Sequence, residues 1–257
     1  MNLNMIMNTL YALDPPIIKH EPLILTSMEQ GSLEWLMARI GRVTASNMHK
    51  LLRGGEGKTR DSYLLEVASE KVTGVPSEKV NTWDMVRGNT LEPYAIQAYE
   101  AVTGLKVKRV GLIYLNKDKR VAASPDGLTM YDERLIRYMG GVELKCPNPK
   151  NHAKTIIEGK SPKKYDAQLQ GSMWVSGALN WDFVSFCPEF KQRPLFMVTA
   201  KRDEAMIDKI RAATEAAIIK IDEYVQQFMS DPVDERLSKI LSEASQMVEM
   251  LKEPEIY

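Results

Sequence analysis

The spacing of apolar residues changes at Gly104, and that change limits the folds open to this chain. Before it, the apolar residues recur at helical intervals. Thr90 to Val102, for example, places Leu91, Tyr94, Ala95, Ala98 and Val102 on one stripe. After it come short runs that read as strands: Leu105 to Leu115, Arg120 to Ala123, Val142 to Cys146, Trp181 to Cys187 and Leu195 to Ala200. One helix interrupts them, Ser161 to Val175, with Pro162 near its start. Helices, then strands around a helix, predict one α/β domain with a mixed sheet in its second half.

Upstream, Gly31 to Arg53 reads as two short helices. The first carries Trp35, Leu36 and Ile40 and ends at Gly41; Thr44 caps the second, ahead of Met48, Leu51 and Leu52. Arg53 to Lys58 is a glycine-rich loop, and Asp61 caps a helix through Leu65, Ala68 and Val72 that stops at Gly74. The chain ends in helices. Ile207, Ile210, Ala217, Ile221, Tyr224 and Phe228 form one stripe; Asp231-Pro232 breaks it. Leu237, Leu241, Ala244, Val248 and Leu251 form a second, spaced by sevens, which reads as a packing surface within the fold. The predicted layout is a lead-in over 1–25, a core over 26–230 and a helical tail over 231–257.

Composition excludes several classes. Lysine plus arginine balance aspartate plus glutamate, 34 against 34, so the chain does not coat nucleic acid through bulk charge. A locally basic channel stays open to it. Cys146 and Cys187 lie far apart, and His20, His49 and His152 are scattered, which argues against zinc and fits a reducing compartment. Met1 to Pro22 lacks a basic flank and soon meets Asp14-Pro15-Pro16, so it reads as neither signal peptide nor membrane span.

The chemistry concentrates in two segments. Asp126 sits in Ser124-Pro125-Asp126-Gly127; alone, it reads as a turn aspartate. In Val142-Glu143-Leu144-Lys145 the alternation of a strand sends Glu143 and Lys145 to one face and Val142 and Leu144 to the other. That pair is either a partly exposed edge-strand ion pair or a buried one, costly unless paired or metal-bound. Taken together, the segments favour the metal, because a hairpin between Asp126 and Glu143 sets two carboxylates side by side. Two hard oxygen ligands, with the Leu144 carbonyl and waters, suit Mg2+. Lys145 then serves an attacking water or offsets transition-state charge. Lys150, Lys154, Lys160, Lys163 and Lys164 follow closely and read either as a solvated face or as a track for a phosphate backbone.

An aspartate followed by glutamate-x-lysine on an adjacent strand is the pattern of the restriction-endonuclease-like nucleases. More narrowly, a series of blocks resembles the lambda-type phage exonucleases, the alkaline exonuclease and viral recombinase group. The blocks are Gln30-Gly31 with Trp35, Arg39 to Ser46, Arg87 to Glu92, Ala123 to Leu128, Gly141 to Pro147, and Ala167 to Gln170 with Ser172 to Val175. The resemblance implies a restriction-endonuclease-like core: a central mixed sheet flanked by helices, with the C-terminal helix an added tail.

It also implies roles. Asp126, Glu143 and the Leu144 carbonyl would bind Mg2+, with Mn2+ as a substitute. Lys145 would serve the water, Glu92 would complete the acidic cluster, and Gln168 would lie beside it. Arg39, Thr44, Ser46 and Ser124 would hold a terminal 5′-phosphate, through arginine's fork of donors and hydroxyls near a helix start. The implied activity is 5′-to-3′ digestion of one strand of linear double-stranded DNA, leaving 3′ overhangs for recombination or repair. The implied setting is a homotrimer working with a single-strand annealing protein in the cytoplasm of a bacterial host, encoded by a phage or prophage. Another nuclease of the superfamily, endonucleolytic or specific for single strands, is the alternative. A non-catalytic DNA-binding protein is a third, disfavoured because Asp126, Glu143 and Lys145 are all present. The charged insert Tyr131 to Tyr138, between the two catalytic segments, departs from the phage pattern.

Overall fold

The strands pair into two sheets rather than one. The computed structural model describes residues 21–52, 58–77, 83–130, 140–230 and 234–250. The first sheet contains β1 (Leu23–Leu25), β2 (Val43–Thr44), β4 (Leu112–Tyr114) and β5 (Val121–Ala123), in the order β1-β4-β5-β2. The second contains β3 (Lys106–Lys108), β6 (Gly127–Met130), β7 (Gly140–Lys145), β8 (Asn180–Phe186) and β9 (Leu195–Lys201), in that order. Each sheet is mixed: β2–β5 and β7–β8 are parallel and the other pairs antiparallel.

Eight helices form among the described residues: α1 (Leu33–Arg39), α2 (Met48–Leu51), α3 (Lys58–Thr73), α4 (Trp83–Thr103), α5 (Pro149–Glu158), α6 (Asp166–Ser176), α7 (Glu204–Met229) and α8 (Glu235–Met250). Local chemistry sets several of their ends. Ser32 caps α1 by accepting from the Trp35 N–H at 3.1 Å. Asn148 caps α5 by accepting from Asn151 N–H at 3.0 Å, with Pro149 preset for the first helical position.

A parallel partner for β7 requires a crossover, and α5 and α6 provide it. The crossover puts α6 where the sheets meet. Its Leu169, Met173 and Trp174 pack with Ile113, Val121 and Ala123 of the first sheet and with Leu128, Trp181 and Phe183 of the second. On the other face of the second sheet, Ala95 and Tyr99 of α4 pack against Val142, Leu144, Val184 and Phe186. Strand β7 therefore has a helix on each side. It also needs Gly141, because any Cβ there would collide with the Trp181 indole.

The mixed α/β architecture with flanking helices is as expected from sequence; several details differ. The run Leu105 to Leu115 is two strands in different sheets. The break falls at 109–111, where Gln30 takes the Val110 carbonyl at 3.1 Å and Gly111 N–H donates to Leu25 at 3.0 Å. Both partners are distant in sequence, so periodicity cannot show the break. Asp61 lies inside the first turn of α3 and is not its cap. Thr44 ends β2 in an extended conformation and makes no side-chain cap bond. Helix α6 starts at Asp166, after a 3-10 turn at Lys163–Tyr165, so Pro162 stands outside it.

The last stripe is the clearest departure. Leu237, Leu241, Ala244 and Val248 on α8 are exposed, not packed within the fold. The stripe of α7 packs over most of its length, with Ile207, Ile210, Ala217 and Ile221 buried, but its end emerges, with Tyr224 half-buried and Phe228 exposed. The Asp231-Pro232 break, Leu251, the insert 131–138, the loop at 53–57 and residues 1–20 lie outside the described residues.

Candidate active site

Asp126 occupies the turn from β5 into β6. Gln30 ties that turn down, donating from Nε2 to the Pro125 carbonyl at 2.7 Å. The Asp126 carboxylate accepts the Leu144 N–H at 2.5 Å. The β6–β7 ladder ends at Gly127 opposite Val142, so Leu144 lies beyond it. A residue in an extended strand sends its N–H and C=O to the same edge. The Leu144 carbonyl therefore faces the edge where Asp126 sits.

Glu143 and Lys145 leave β7 on the α6 face. Glu143 is 1 % exposed, and its Oε1 accepts from Gln168 Nε2 at 2.6 Å and from the Lys145 ammonium. Its other oxygen, Oε2, is buried with no hydrogen-bond partner. A buried carboxylate oxygen left unpaired is costly unless a cation completes it. Of the two readings open from sequence, the exposed edge pair is excluded. Strand β7 is interior to its sheet and Glu143 is buried.

Burial and crowding set the protonation of this cluster. Burial pushes the Asp126 carboxyl up, against the pull of Lys145 and the Leu144 N–H. Burial likewise lifts Glu143 to about 7, with Asp126 adding to the rise and Lys145 opposing it. For Lys145, burial pulls down, but the Glu143 and Asp126 carboxylates outweigh it and hold the ammonium above its usual range. Burial, Asp126 and Glu92 raise the neighbouring Cys146 thiol to about 11, so it is no thiolate ligand.

The second cluster lies on the β5 side. Arg39 Nη1 donates to Ser124 Oγ at 2.7 Å, and Trp35 Nε1 reaches the same hydroxyl at 3.1 Å. The Arg39 guanidinium lies 4.3 Å from the centre of the Trp35 ring, which holds its fork in place. Burial lowers its pKa, yet an arginine stays charged. Thr44 and Ser46 hydroxyls are 3.3 Å apart, and Asn47 donates to Thr44 at 3.0 Å. Parallel pairing of β2 with β5 sets Thr44 opposite Ala122, two residues before Ser124. Arg39 and Ser124 thus touch each other, Thr44 and Ser46 touch each other, and the ladder joins the pairs.

Glu92 comes from α4. It is paired with Arg109 at 2.6 Å; burial and then Asp126 raise its pKa. Among the described residues no three His, Cys, Asp or Glu side chains gather into one metal-sized group. The oxygens that could hold a cation near the β6–β7 edge are those of Asp126, Glu143 and the Leu144 carbonyl; Glu92 feels the Asp126 charge but does not join them in one group. Hard oxygens of this kind, one of them an orphan, fit a divalent cation such as Mg2+.

Three contributors carry no signal strong enough to find from sequence. Gln30 and Arg87 lie in the quoted blocks, but their targets are backbone carbonyls. Gln30 braces the Asp126 turn, whereas Arg87 donates to Cys146 and Pro147 at 3.1 and 3.3 Å and pairs with Glu189 at 2.7 Å. Arg109 sits in the break between β3 and β4, a stretch that reads as plain strand.

The mixed α/β fold with flanking helices is similar to that of phage-type exonuclease structures. Residues 34–179 match the YqaJ-like viral recombinase domain, and the chain belongs to that family. An alkaline exonuclease from Laribacter hongkongensis, LHK-Exo, is 32% identical. The match covers 77% of this chain and 96% of that one, with a TM-score of 0.69. A structure of LHK-Exo in complex with dAMP superposes equally well, at TM-score 0.69. A phage-related exonuclease from Haemophilus somnus shares the fold at 21% identity and TM-score 0.50, over 73% of this chain and 96% of that one. No curated protein sequence matches the chain. Family and likeness together support a nuclease role of the exonuclease type. No helix among the described residues is long and apolar enough to cross a membrane.

Proposed function

We propose that this chain is a Mg2+-dependent 5′-to-3′ exonuclease that degrades one strand of linear double-stranded DNA and leaves 3′ overhangs for recombination or repair. One observation carries the reading: the orphaned, buried Oε2 of Glu143 beside Asp126, on whose own turn Ser124, two residues earlier, accepts from Arg39. Asp126, Glu143 and the Leu144 carbonyl would hold the ion, and Mn2+ would substitute. When bound, the ion supplies Lewis-acid polarisation of the scissile phosphate and a more acidic water.

The chain's own groups do the rest. Lys145 keeps its proton and offsets charge on the phosphate undergoing attack. Gln168 fixes Glu143 through Oε1, which leaves Oε2 for the ion. Arg39, Ser124, Thr44 and Ser46 hold the terminal 5′-phosphate, and Glu92 supports the acidic cluster from α4. Each cut leaves a new 5′-phosphate, so the same pocket serves every cycle. The dAMP bound to LHK-Exo is the kind of product such a cycle releases. The nuclease core would span 26–230 with 231–257 as a helical tail, acting as a homotrimer beside a single-strand annealing protein in a bacterial cytoplasm.

The test is digestion of linear duplexes labelled separately at the 5′ and 3′ ends. With Mg2+ the 5′ label should be released first, and EDTA should stop the reaction. A covalently closed circle should survive; rapid cutting of the circle would overturn the exonuclease reading.

A further inference from the structure

Beside Lys145, on the side away from the Arg39–Ser124 pair, lies a cleft of about 670 Å³. Its floor is β8: Phe183, opposite Glu143 in the ladder, and Ser185, opposite Lys145. Its walls are α5 and the 160–165 connection, which contribute Lys154, Lys160, Lys163 and Lys164. Glu158 is the one acidic side chain among the lining residues, and it lies 3.7 Å from Lys154. Tyr165 also lines the cleft, stacked on Phe183 at 5.4 Å. The Lys145 and Lys164 ammonium groups lie 5.3 and 4.8 Å from its ring centre.

Order across the sheet gives the cleft a direction. Ser124 precedes β6, the carboxylates sit at β6 and β7, and the cleft opens over β8. A strand whose 5′-phosphate rests at Ser124 and whose first internal phosphate rests at the carboxylates has its next phosphates carried toward β8.

Resting on the 5′-end reading above, we infer that this lysine cleft binds the phosphodiester backbone of the cut strand on the 3′ side of the scissile bond. Lys160, Lys163 and Lys164 contact its phosphates, and Tyr165 faces the sugar-base side. A backbone held there draws the next nucleotide into register after each cut. The cleft suits a stretch of single-stranded DNA rather than a free nucleotide, because five lysines line it against one acidic side chain, and its volume of about 670 Å³ also holds an aromatic ring for a sugar or base. Counterion release makes such contacts readable in salt dependence.

The test measures binding of the full chain in EDTA. Probes are 5′-phosphorylated single-stranded oligonucleotides of increasing length, with dAMP as the one-nucleotide limit, over a salt series. The exposed lysines allow substitution without disturbing the core. The triple variant K160Q/K163Q/K164Q should bind longer oligonucleotides about tenfold more weakly, with a log–log salt slope shallower by about 2. Its dAMP affinity should be unchanged. Glu158→Gln should act in the opposite sense, tightening the longer oligonucleotides only. An unchanged slope in the triple variant, or an equal loss for dAMP, overturns the inference. If the wild-type chain shows no preference for 5′-phosphate over 5′-hydroxyl ends, the end-recognition reading fails instead, while the slope comparison still judges the cleft.

Discussion

The two faces of β7 bury different chemistry with opposite consequences: Val142, Leu144 and Glu143 are all buried, and the Lys145 side chain is 28% exposed. Val142 and Leu144 pack against α4 with apolar partners, while Glu143 and Lys145 point toward α6 and carry charge into the interior. The α4 face contributes to stability by taking apolar surface from water. The α6 face works against stability, since buried charge is expensive even when paired. One strand therefore separates what holds the fold from what does the chemistry, residue by residue.

The sharpest way to break this comparison is Asp126→Asn. The amide oxygen can still accept the Leu144 N–H, so the turn should persist and the melting temperature should move little. Nuclease activity in Mg2+ should fall by about three orders of magnitude, because a charged ligand is lost at a site worth several kcal/mol in the transition state. A variant retaining near-normal activity would detach the carboxylate pair from the reaction.

Leu144→Ala probes the other face. Leu144 is 6% exposed among Tyr99, Val184 and Phe186, and truncation there should cost about 2–4 kcal/mol of folding stability. Its backbone carbonyl, the proposed ligand, is untouched, so activity at a temperature where the variant is folded should stay within a few-fold of normal. Denaturant melts and digestion assays on one sample check both halves. A loss of activity as deep as that of Asp126→Asn would mean that the faces are not separable.

The alternation of Val142-Glu143-Leu144-Lys145 made the division of β7 legible in the sequence, because side-chain direction in a strand follows from position alone. The turn at Asp126 was legible for the same local reason. What was not legible depends on partners far away in the chain. Gln30 reaches Pro125, Arg109 reaches Glu92, and the run after Gly104 crosses between sheets at Val110. No local period records such contacts. The helical stripes teach the same limit. Those of α7 and α8 share a spacing, yet α7 packs on α3 with Ala217 and Ile221 buried, and α8 leaves its stripe in solvent. Spacing shows that a face is apolar, not what covers it.

The smallest effect is a pH dependence, and it sharpens the contrast because only the charged face can produce one. Glu143 in the metal-free chain is lifted to about 7 by burial, with Asp126 adding to the rise, from the 4.5 of an ordinary glutamate. Between those values the folded chain holds a proton that the unfolded chain has released. Folding stability contributed by this group is therefore present below about pH 4.5 and is lost as pH rises through about 7. A bound divalent cation should reverse the penalty by favouring the ionised carboxylate. Melts in EDTA should then show a stability decline over this window that Glu143→Gln flattens, while Leu144→Ala keeps it at lower overall stability. Adding Mg2+ should stabilise the wild-type chain more at pH 8 than at pH 5 and should do much less for Glu143→Gln. If Glu143→Gln and the wild-type chain respond alike to pH and Mg2+, then Glu143 neither titrates in this range nor binds the ion.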